Sequence, residues 1–307
     1  MKLCFSPAKE PYFNLALEEY ILKHLPGEES TVFICVNDQS VIIGRNQNPW
    51  REVNLGYAIE NNIPIVRRIS GGGTVFHDPG NINISFIQKY SSKSFNNYSE
   101  FTRPVISYLN SIGIPAELNK RNDIVINGLK ISGNAQFSGK NMLLSHGTLL
   151  VNSDLETLNK ILDVKNLDFV SNSTGSTRSS VTSLSEFKGQ ELSVEEVISG
   201  IAKELKDSFN VSIQELTGED IEVVNKLVLE KYGTFEWNYG RTHDFEVKSD
   251  LLPDMKVSVK AGLLHEVIIG GEIVALPPES GIEFLPKSVL DSTLPDDIKR
   301  NLINTFF

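Results

Sequence analysis

The apolar positions of residues 11–25 recur at helical spacing. Phe13, Leu17, Tyr20, Ile21 and Leu25 share one face, Glu18 and Glu19 fall outside it, and Pro26-Gly27 supplies a stop. Two β-rich runs follow, Thr31–Val36 and Ser40–Ile43, and the polar Asn37-Asp38-Gln39 between them predicts a hairpin. A short helix near 51–62 leads through Ile63-Pro64 into a strand bearing Arg67 and Arg68. Beyond it the pattern alternates: Ile82, Ile84 and Phe86 fall on one face of a strand, Asn81, Asn83 and Ser85 on the other. The spacing then predicts a helix at 99–112, ended by Gly113.

Asn127-Gly128 between two alternating runs is a strong hairpin signal. A two-residue turn there pairs Ile126 with Leu129, Val125 with Lys130, Ile124 with Ile131, and Asp123 with Ser132. One face is apolar and suits a core. The other carries Asp123 and Lys130 diagonally adjacent. An exposed pair of this kind on a sheet surface is worth only ~0–1 kcal/mol, and the pattern alone fits that reading as well as a functional one.

Residues 143–151 read as a strand containing His146 and Gly147, and 154–162 as a helix capped by Ser153 or Asp154. A long polar loop is expected over 163–190, most polar at 171–182. Helices at 193–209 and 218–231 enclose a short strand at 211–216. A boundary is expected near 241–247. Strand-like runs follow at 256–260, Leu263–Ile269 and Glu272–Ala275, with Gly270-Gly271 as a tight turn, then helices at 286–291 and 295–305. About 60 residues is small for independent stability, so this last piece should lean on the rest.

The net charge of −10 argues against a general nucleic-acid binder or a binder of anionic membranes. Any cationic site must therefore be local, and Arg67, Arg68 and Arg45 are candidates. Two cysteines, Cys4 and Cys35, offer neither zinc spacing nor a disulfide framework. No apolar run approaches the ~20 residues of a membrane span, and the opening residues lack a secretory pattern, so a cytoplasmic enzyme is expected.

The densest chemical signal is Arg67-Arg68-Ile69-Ser70-Gly71-Gly72-Gly73-Thr74-Val75-Phe76-His77-Asp78-Pro79-Gly80-Asn81. Three glycines let a ligand approach the main chain and its N–H groups. The run lacks the Gly-Lys-Ser/Thr of a Walker loop, and strands flank it where a dinucleotide fingerprint needs a helix. A phosphate would therefore be held by a loop between strands. On the residues alone, a glycine-rich turn beside two surface arginines fits equally.

This run resembles the signature of the lipoate–protein ligase A family, relatives of the biotin–protein ligases. Further stretches resemble the same family: Arg121-Asn122-Asp123, Lys130-Ile131-Ser132-Gly133-Asn134-Ala135, His146-Gly147-Thr148-Leu149-Leu150, Arg178-Ser179-Ser180-Val181-Thr182 and Phe235-Glu236-Trp237-Asn238-Tyr239-Gly240. The resemblance implies an α/β (α+β) fold. Its large domain has a mixed β-sheet flanked by helices, as in biotin and lipoate ligases, at 1–243. A small α/β C-terminal accessory domain follows at 247–307, shorter than usual for the family.

The resemblance further implies ATP-dependent activation of lipoate to lipoyl-AMP, then transfer to a lysine of lipoyl carrier domains. Such carriers are the 2-oxoacid dehydrogenase acyltransferase subunits and the glycine cleavage H protein. Lys130 is the implied catalytic residue. Arg68, Gly73, Thr74, Val75, Phe76, Asp123 and Lys130 are implied for ATP or adenylate. Ser70, Gly71, Gly72, His77, Ala135, His146, Gly147 and Lys130 are implied for lipoate, and Cys35, Val75 and Ala135 sit beside matched motifs. Asp123 is the expected Mg²⁺ ligand, and 171–182 the expected cover. A monomer with no nucleic-acid or membrane partner is expected.

Two alternatives stand beside this reading. One is a lipoyl or octanoyl transferase that uses preformed acyl-adenylate. The other is a non-catalytic binding or regulatory protein. The branch that moves acyl groups through a cysteine placed after the catalytic lysine is disfavoured, because no cysteine follows Cys35.

Overall fold

The computed structural model describes the chain apart from residues 25–28, 140, 166, 178, 250–251, 276 and 278–280. Leu25, Pro26-Gly27 and Arg178 thus lie outside the described residues.

The organising element is a six-stranded sheet in the order Asn134–Gly139, Met142–Leu150, Asn81–Lys89, Thr31–Val36, Lys2–Phe5, Ser212–Ile213. Lys2–Phe5 runs parallel to both of its neighbours and the remaining pairs are antiparallel, so the sheet is mixed. The alternation in Asn81–Lys89 decides what lies on each face. Ile82, Ile84 and Phe86 enter a core with helices Tyr98–Ser111 and Val194–Ser208. The opposite face is roofed by helix Pro11–His24, whose Phe13, Leu17 and Ile21 pack with Phe33, Cys35 and Leu144.

Glu18 and Glu19 do not face outward as the periodicity predicts. They are 5% and 3% exposed. The helix lies between the sheet and residues 224–237, so its polar side is covered too. Burial is tolerated because each carboxylate is paired: Glu18 with His146 and Ser85, Glu19 with Lys23, Lys231 and Tyr232.

The predicted hairpin over 31–43 is absent. Ser40–Ile43 instead lies at the centre of a separate three-stranded sheet, between Ile65–Arg67 and Val75–His77. Asn37-Asp38-Gln39 carries the chain from one sheet to the other. The reason is that both runs are apolar on both sides and each is buried within its own sheet.

The Asn127-Gly128 hairpin forms, with both residues at positive φ. A bulge between Ile124 and Val125 shifts the register, so Ile124 pairs with Ser132 and not Ile131. Leu129, at the turn, is 42% exposed, whereas Val125, expected outside, is buried.

The polar 163–190 stretch is not one loop. Leu167–Ser171 is a strand and Leu184–Lys188 a helix. The first of these pairs with Phe245–Ser249 and so edges a second sheet, continued by Leu252–Lys260, Leu263–Ile269 and Glu272–Ala275. This sheet and helices Pro286–Leu290 and Asp296–Phe306 share one apolar cluster with Val41, Trp50 and Phe76. Trp50 anchors it, donating its indole N–H to the Phe284 carbonyl at 2.7 Å. No helix of the described residues is long and apolar enough to cross a membrane.

Candidate active site

The glycine run links Ile65–Arg67 to Val75–His77, two strands held in place by Ser40–Ile43. Its shape is set from inside by Arg68. That guanidinium is buried and donates to Ser70 Oγ (3.0 Å), to the Ile42 carbonyl (3.1 Å), and to the carbonyls of Gly71 and Gly73 (both 2.7 Å). Burial lowers its pKa to about 10, with Glu18 opposing. Arg68 therefore pegs the loop, turning its carbonyls inward toward the guanidinium.

Arg67 is not at the site. It is fully buried and its guanidinium donates to the carbonyls of Gly44, Arg45, Gln47, Trp237 and Asn238 and to Thr242 Oγ1. Arg45 is exposed and lines no cavity at the glycine run. The strand period explains the split: adjacent residues point to opposite sides, so only one of two neighbouring arginines can serve the loop.

Two adjoining cavities meet beside the loop. One, of about 350 Å³, is lined by Gly72, Gly73, Thr74, Val75, His77, Asp123, Lys130, Ala135, His146 and Gly147, with Cys35, Leu15 and Phe33 at its apolar part. The other, of about 840 Å³, is lined by Thr74, Val75, Phe76, Leu150, Leu155 and Leu158. Lys130 and Thr148 belong to both walls. Lys130 Nζ stands 2.8 Å from Asp123 Oδ1, so the diagonal pair of the hairpin forms and faces a cavity. Gly133 keeps room for it: a Cβ there would lie 2.9 Å from Nζ. Gly147 is needed for the same kind of reason, because a Cβ would overlap the Asn134 side chain.

Ser70 and Gly71 do not line either cavity. Ser70 is buried between Arg68 and His146, whose Nε2 lies 2.7 Å from its hydroxyl. Gly71 sits exposed at the rim. Phe76 contributes to the larger cavity only, its ring lying in the core shared with Trp50.

Several wall residues are invisible to motif reasoning. Glu18 accepts from Ser85 Oγ at 2.6 Å and lies 2.8 Å from His146 Nδ1. Burial raises its pKa, but His146, Ser85 and Arg68 outweigh that and hold it below the ordinary value. Asn14, Asn37 and Asn83 also line the smaller cavity. The available hint was the Asn81/Asn83/Ser85 face, a polar strand face that a central strand has to turn toward something. Burial and then Glu18 push the Cys35 thiol well up, so it stays protonated.

Residues 174–177 and 179–182 lie beside the site. Ser176 Oγ accepts from Gln47 Nε2 (2.8 Å) and from the Thr74 N–H (3.0 Å), while the Ser176 N–H donates to the Glu52 carboxylate. Lys130 bridges the same segment through its own main chain, N–H to Ser180 O and carbonyl from Thr182 N–H, each at 3.0 Å.

A mixed sheet roofed by helices thus carries a glycine loop and a hairpin lysine that share a cavity wall. The chain belongs to the lipoyl protein ligase A/B catalytic domain family, which residues 10–206 match. Among its relatives it is 42% identical over 284 residues to lipoate-protein ligase LplJ of Bacillus subtilis (90% of this chain, 86% of that one). It is 41% identical over 279 residues to lipoate–protein ligase 1 of Staphylococcus aureus (89% and 85%).

Solved structures agree on the fold. A lipoate-protein ligase A bound with ATP matches at TM-score 0.66 and 28% identity, covering 77% of this chain and 97% of that one. A T. acidophilum protein with bound lipoic acid matches at 0.66 and 25% (77% and 98%). A bipartite lipoate protein ligase of Thermoplasma acidophilum, described with its E2 lipoyl domain, matches at 0.66 and 27% (77% and 95%). The chain is an enzyme of the lipoate–protein ligase type.

Proposed function

We propose that the two cavities flanking Lys130 take the two substrates of one reaction centre. Lipoate enters the smaller, with its chain against Cys35, Val75 and Ala135. ATP enters the larger, along Thr74, Val75 and Phe76, with its phosphates reaching toward Gly73 on the wall of the smaller. The carboxylate attacks the α-phosphorus, pyrophosphate leaves, and lipoyl-AMP forms. A carrier lysine amine then attacks the acyl carbon and AMP leaves. Both transition states gather negative charge on oxygens around one centre, where a fixed cation stabilises both. The observation that carries the reading is the Lys130 ammonium on the wall common to both cavities.

In this reading the glycine-loop N–H groups and Lys130 receive the phosphate and the carboxylate. Arg68, Ser70 and His146 hold that loop in shape. Asp123 fits Mg²⁺ as a single carboxylate: among the described residues no group of three or more His, Cys, Asp or Glu could hold a metal, so phosphate oxygens and water must complete the shell. Such an ion would neutralise phosphate charge. The 174–182 segment excludes water from the mixed anhydride.

Residues 1–243 act as the catalytic unit and 247–307 as the accessory one. Lipoyl domains are the protein substrates, a reading supported by the T. acidophilum ligase described with its E2 lipoyl domain. The family resemblance supports a monomer.

The test is mass spectrometry of a lipoyl domain incubated with enzyme, ATP, Mg²⁺ and lipoate or octanoate. A mass gain on the target lysine is expected, lost in Lys130→Ala. Unchanged transfer by Lys130→Ala refutes the assignment. Lipoate-dependent ATP–pyrophosphate exchange separates this reading from use of preformed adenylate.

A further inference from the structure

The smaller cavity contains a histidine whose proton position is dictated by two asparagines. Asn14 Nδ2 faces three acceptors: the carbonyls of Ala8 (3.0 Å) and Val36 (3.3 Å) and Asn37 Oδ1 (2.7 Å). Those carbonyls fix the Asn14 amide, because only its nitrogen can donate. Asn37 is then fixed with its oxygen toward Asn14, which leaves its Nδ2 2.9 Å from His77 Nδ1. An amide nitrogen has hydrogens and no lone pair to offer, so His77 Nδ1 accepts. In a neutral ring the proton is then on Nε2.

That Nε2 is buried and has no hydrogen-bond partner in the fold. His77 is 5% exposed and lines the cavity. Leaving such a donor unpaired is unfavourable, so something bound in the cavity is its natural acceptor. Burial, then Arg68 and His146, push the ring's pKa down to about 3. The other charged groups on the cavity walls are Glu18, Asp123, Lys130 and Arg121.

Nearby, Asn83 shares an amide hydrogen bond with Asn81 and also bonds the Cys35 thiol. Asn83 stands across the ladder from Thr148, whose hydroxyl accepts the Gly133 N–H beside Lys130. The unpaired His77 donor thus shares the cavity with the ammonium, and an alkyl chain offers it no acceptor. The acid's oxygen does.

We propose that His77 donates its Nε2–H, as a neutral ring, to a carboxyl oxygen of the acyl substrate, and that Asn37, itself set by Asn14, is the positioning residue that fixes this tautomer. The proposal rests on the ligase reading above. When the carrier amine attacks the acyl carbon, a neutral donor stabilises the charge developing on that oxygen without giving up its proton, as an oxyanion-hole group does.

Two measurements test it. Long-range ¹H–¹⁵N spectra of the intact wild-type protein should show His77 protonated at Nε2 only, without titration from pH 5 to 8, and its Nε2 signal should move when octanoate is added. Asn37→Asp replaces the donor with a carboxylate, which draws the proton to Nδ1 and empties Nε2. Transfer of the acyl group from preformed lipoyl-AMP to a lipoyl domain should then fall about 10²-fold. It should recover as pH falls, because the carboxylate-paired ring takes a second proton and regains Nε2–H.

An Nδ1–H tautomer in the wild type, a midpoint inside that pH range, an Nε2 signal indifferent to octanoate, or a wild-type pH profile in Asn37→Asp overturns the proposal. The spectra need no turnover, so absence of exchange and transfer in the wild type would indict the ligase reading separately.

Discussion

Replacing Arg67 by Met separates two meanings of the paired arginines before the glycine run. The guanidinium is buried with no carboxylate partner among the described residues, and burial, then Arg241, lowers its pKa to about 10. Its charge is balanced by main-chain carbonyls. Removing it strips donors from six acceptors. Arg45 is at the surface, so its carbonyl can recruit water. Gln47 and Asn238 are buried, and their carbonyls cannot. Each buried acceptor left bare costs ~1–3 kcal/mol, and the guanidinium's own desolvation cost is recovered, so the net loss should be roughly 3 kcal/mol.

For a chain of this size the urea slope is about 3 kcal/mol/M, so the midpoint should fall by about 1 M. Arg67→Lys should rescue less than half, because one ammonium cannot span the loop at 44–47 and the turn at 237–242 together. The ATP KM of the folded variant should stay within about twofold, since the group touches no substrate. A midpoint within about 0.2 M of wild type, together with a tenfold rise in ATP KM, would refute the reasoning and return Arg67 to the phosphate site.

Gly44→Ala should lower kcat/KM for ATP by about 10²-fold, because its Cβ would overlap the Gly72 carbonyl and displace the loop, whereas Gly71→Ala, which meets nothing within 4 Å, should be near neutral. Stability should fall with acidity through His77. Its folded pKa of about 3 lies below the unfolded 6.5, so its contribution is complete above 6.5 and is lost on going down toward 3. Unfolding curves should show ~2 kcal/mol less stability at pH 5 from this group, and His77→Gln should flatten that slope. Ser176→Ala should raise AMP release without acyl transfer, measured as uncoupled ATP turnover, because it frees the strap from Gln47 and Thr74.

Local pattern was enough for the strand carrying Ile82, Ile84 and Phe86, for the Asn127-Gly128 turn, and for the Asp123–Lys130 pair. Each depends on neighbours within a few residues. It was not enough for Glu18, because a helix that is roofed on a second side looks the same in sequence as one that faces water. It misjudged Ser40–Ile43 for a similar reason: a strand's partner is chosen by burial across the whole fold, and Asn37-Asp38-Gln39 can serve a crossing as well as a turn. The bulge at Ile124/Val125 left no trace in the alternation. At the site, the motifs named the loop and the lysine. The asparagines 14 and 37 were passed over because their meaning lies in which atoms are left unpaired, a property that exists only once the cavity does.

The strand Leu167–Ser171 belongs to a sheet whose other members all come after residue 244, while Ser180–Thr182 further along the chain bond to the main chain of Lys130. The connection between them is thus held at one end by the C-terminal sheet and at the other by the hairpin of Lys130. With that connection as the cover proposed above, substitutions at buried positions of the distal sheet such as Val247 or Val257 should alter, from a distance, how tightly the cavity beside Lys130 closes.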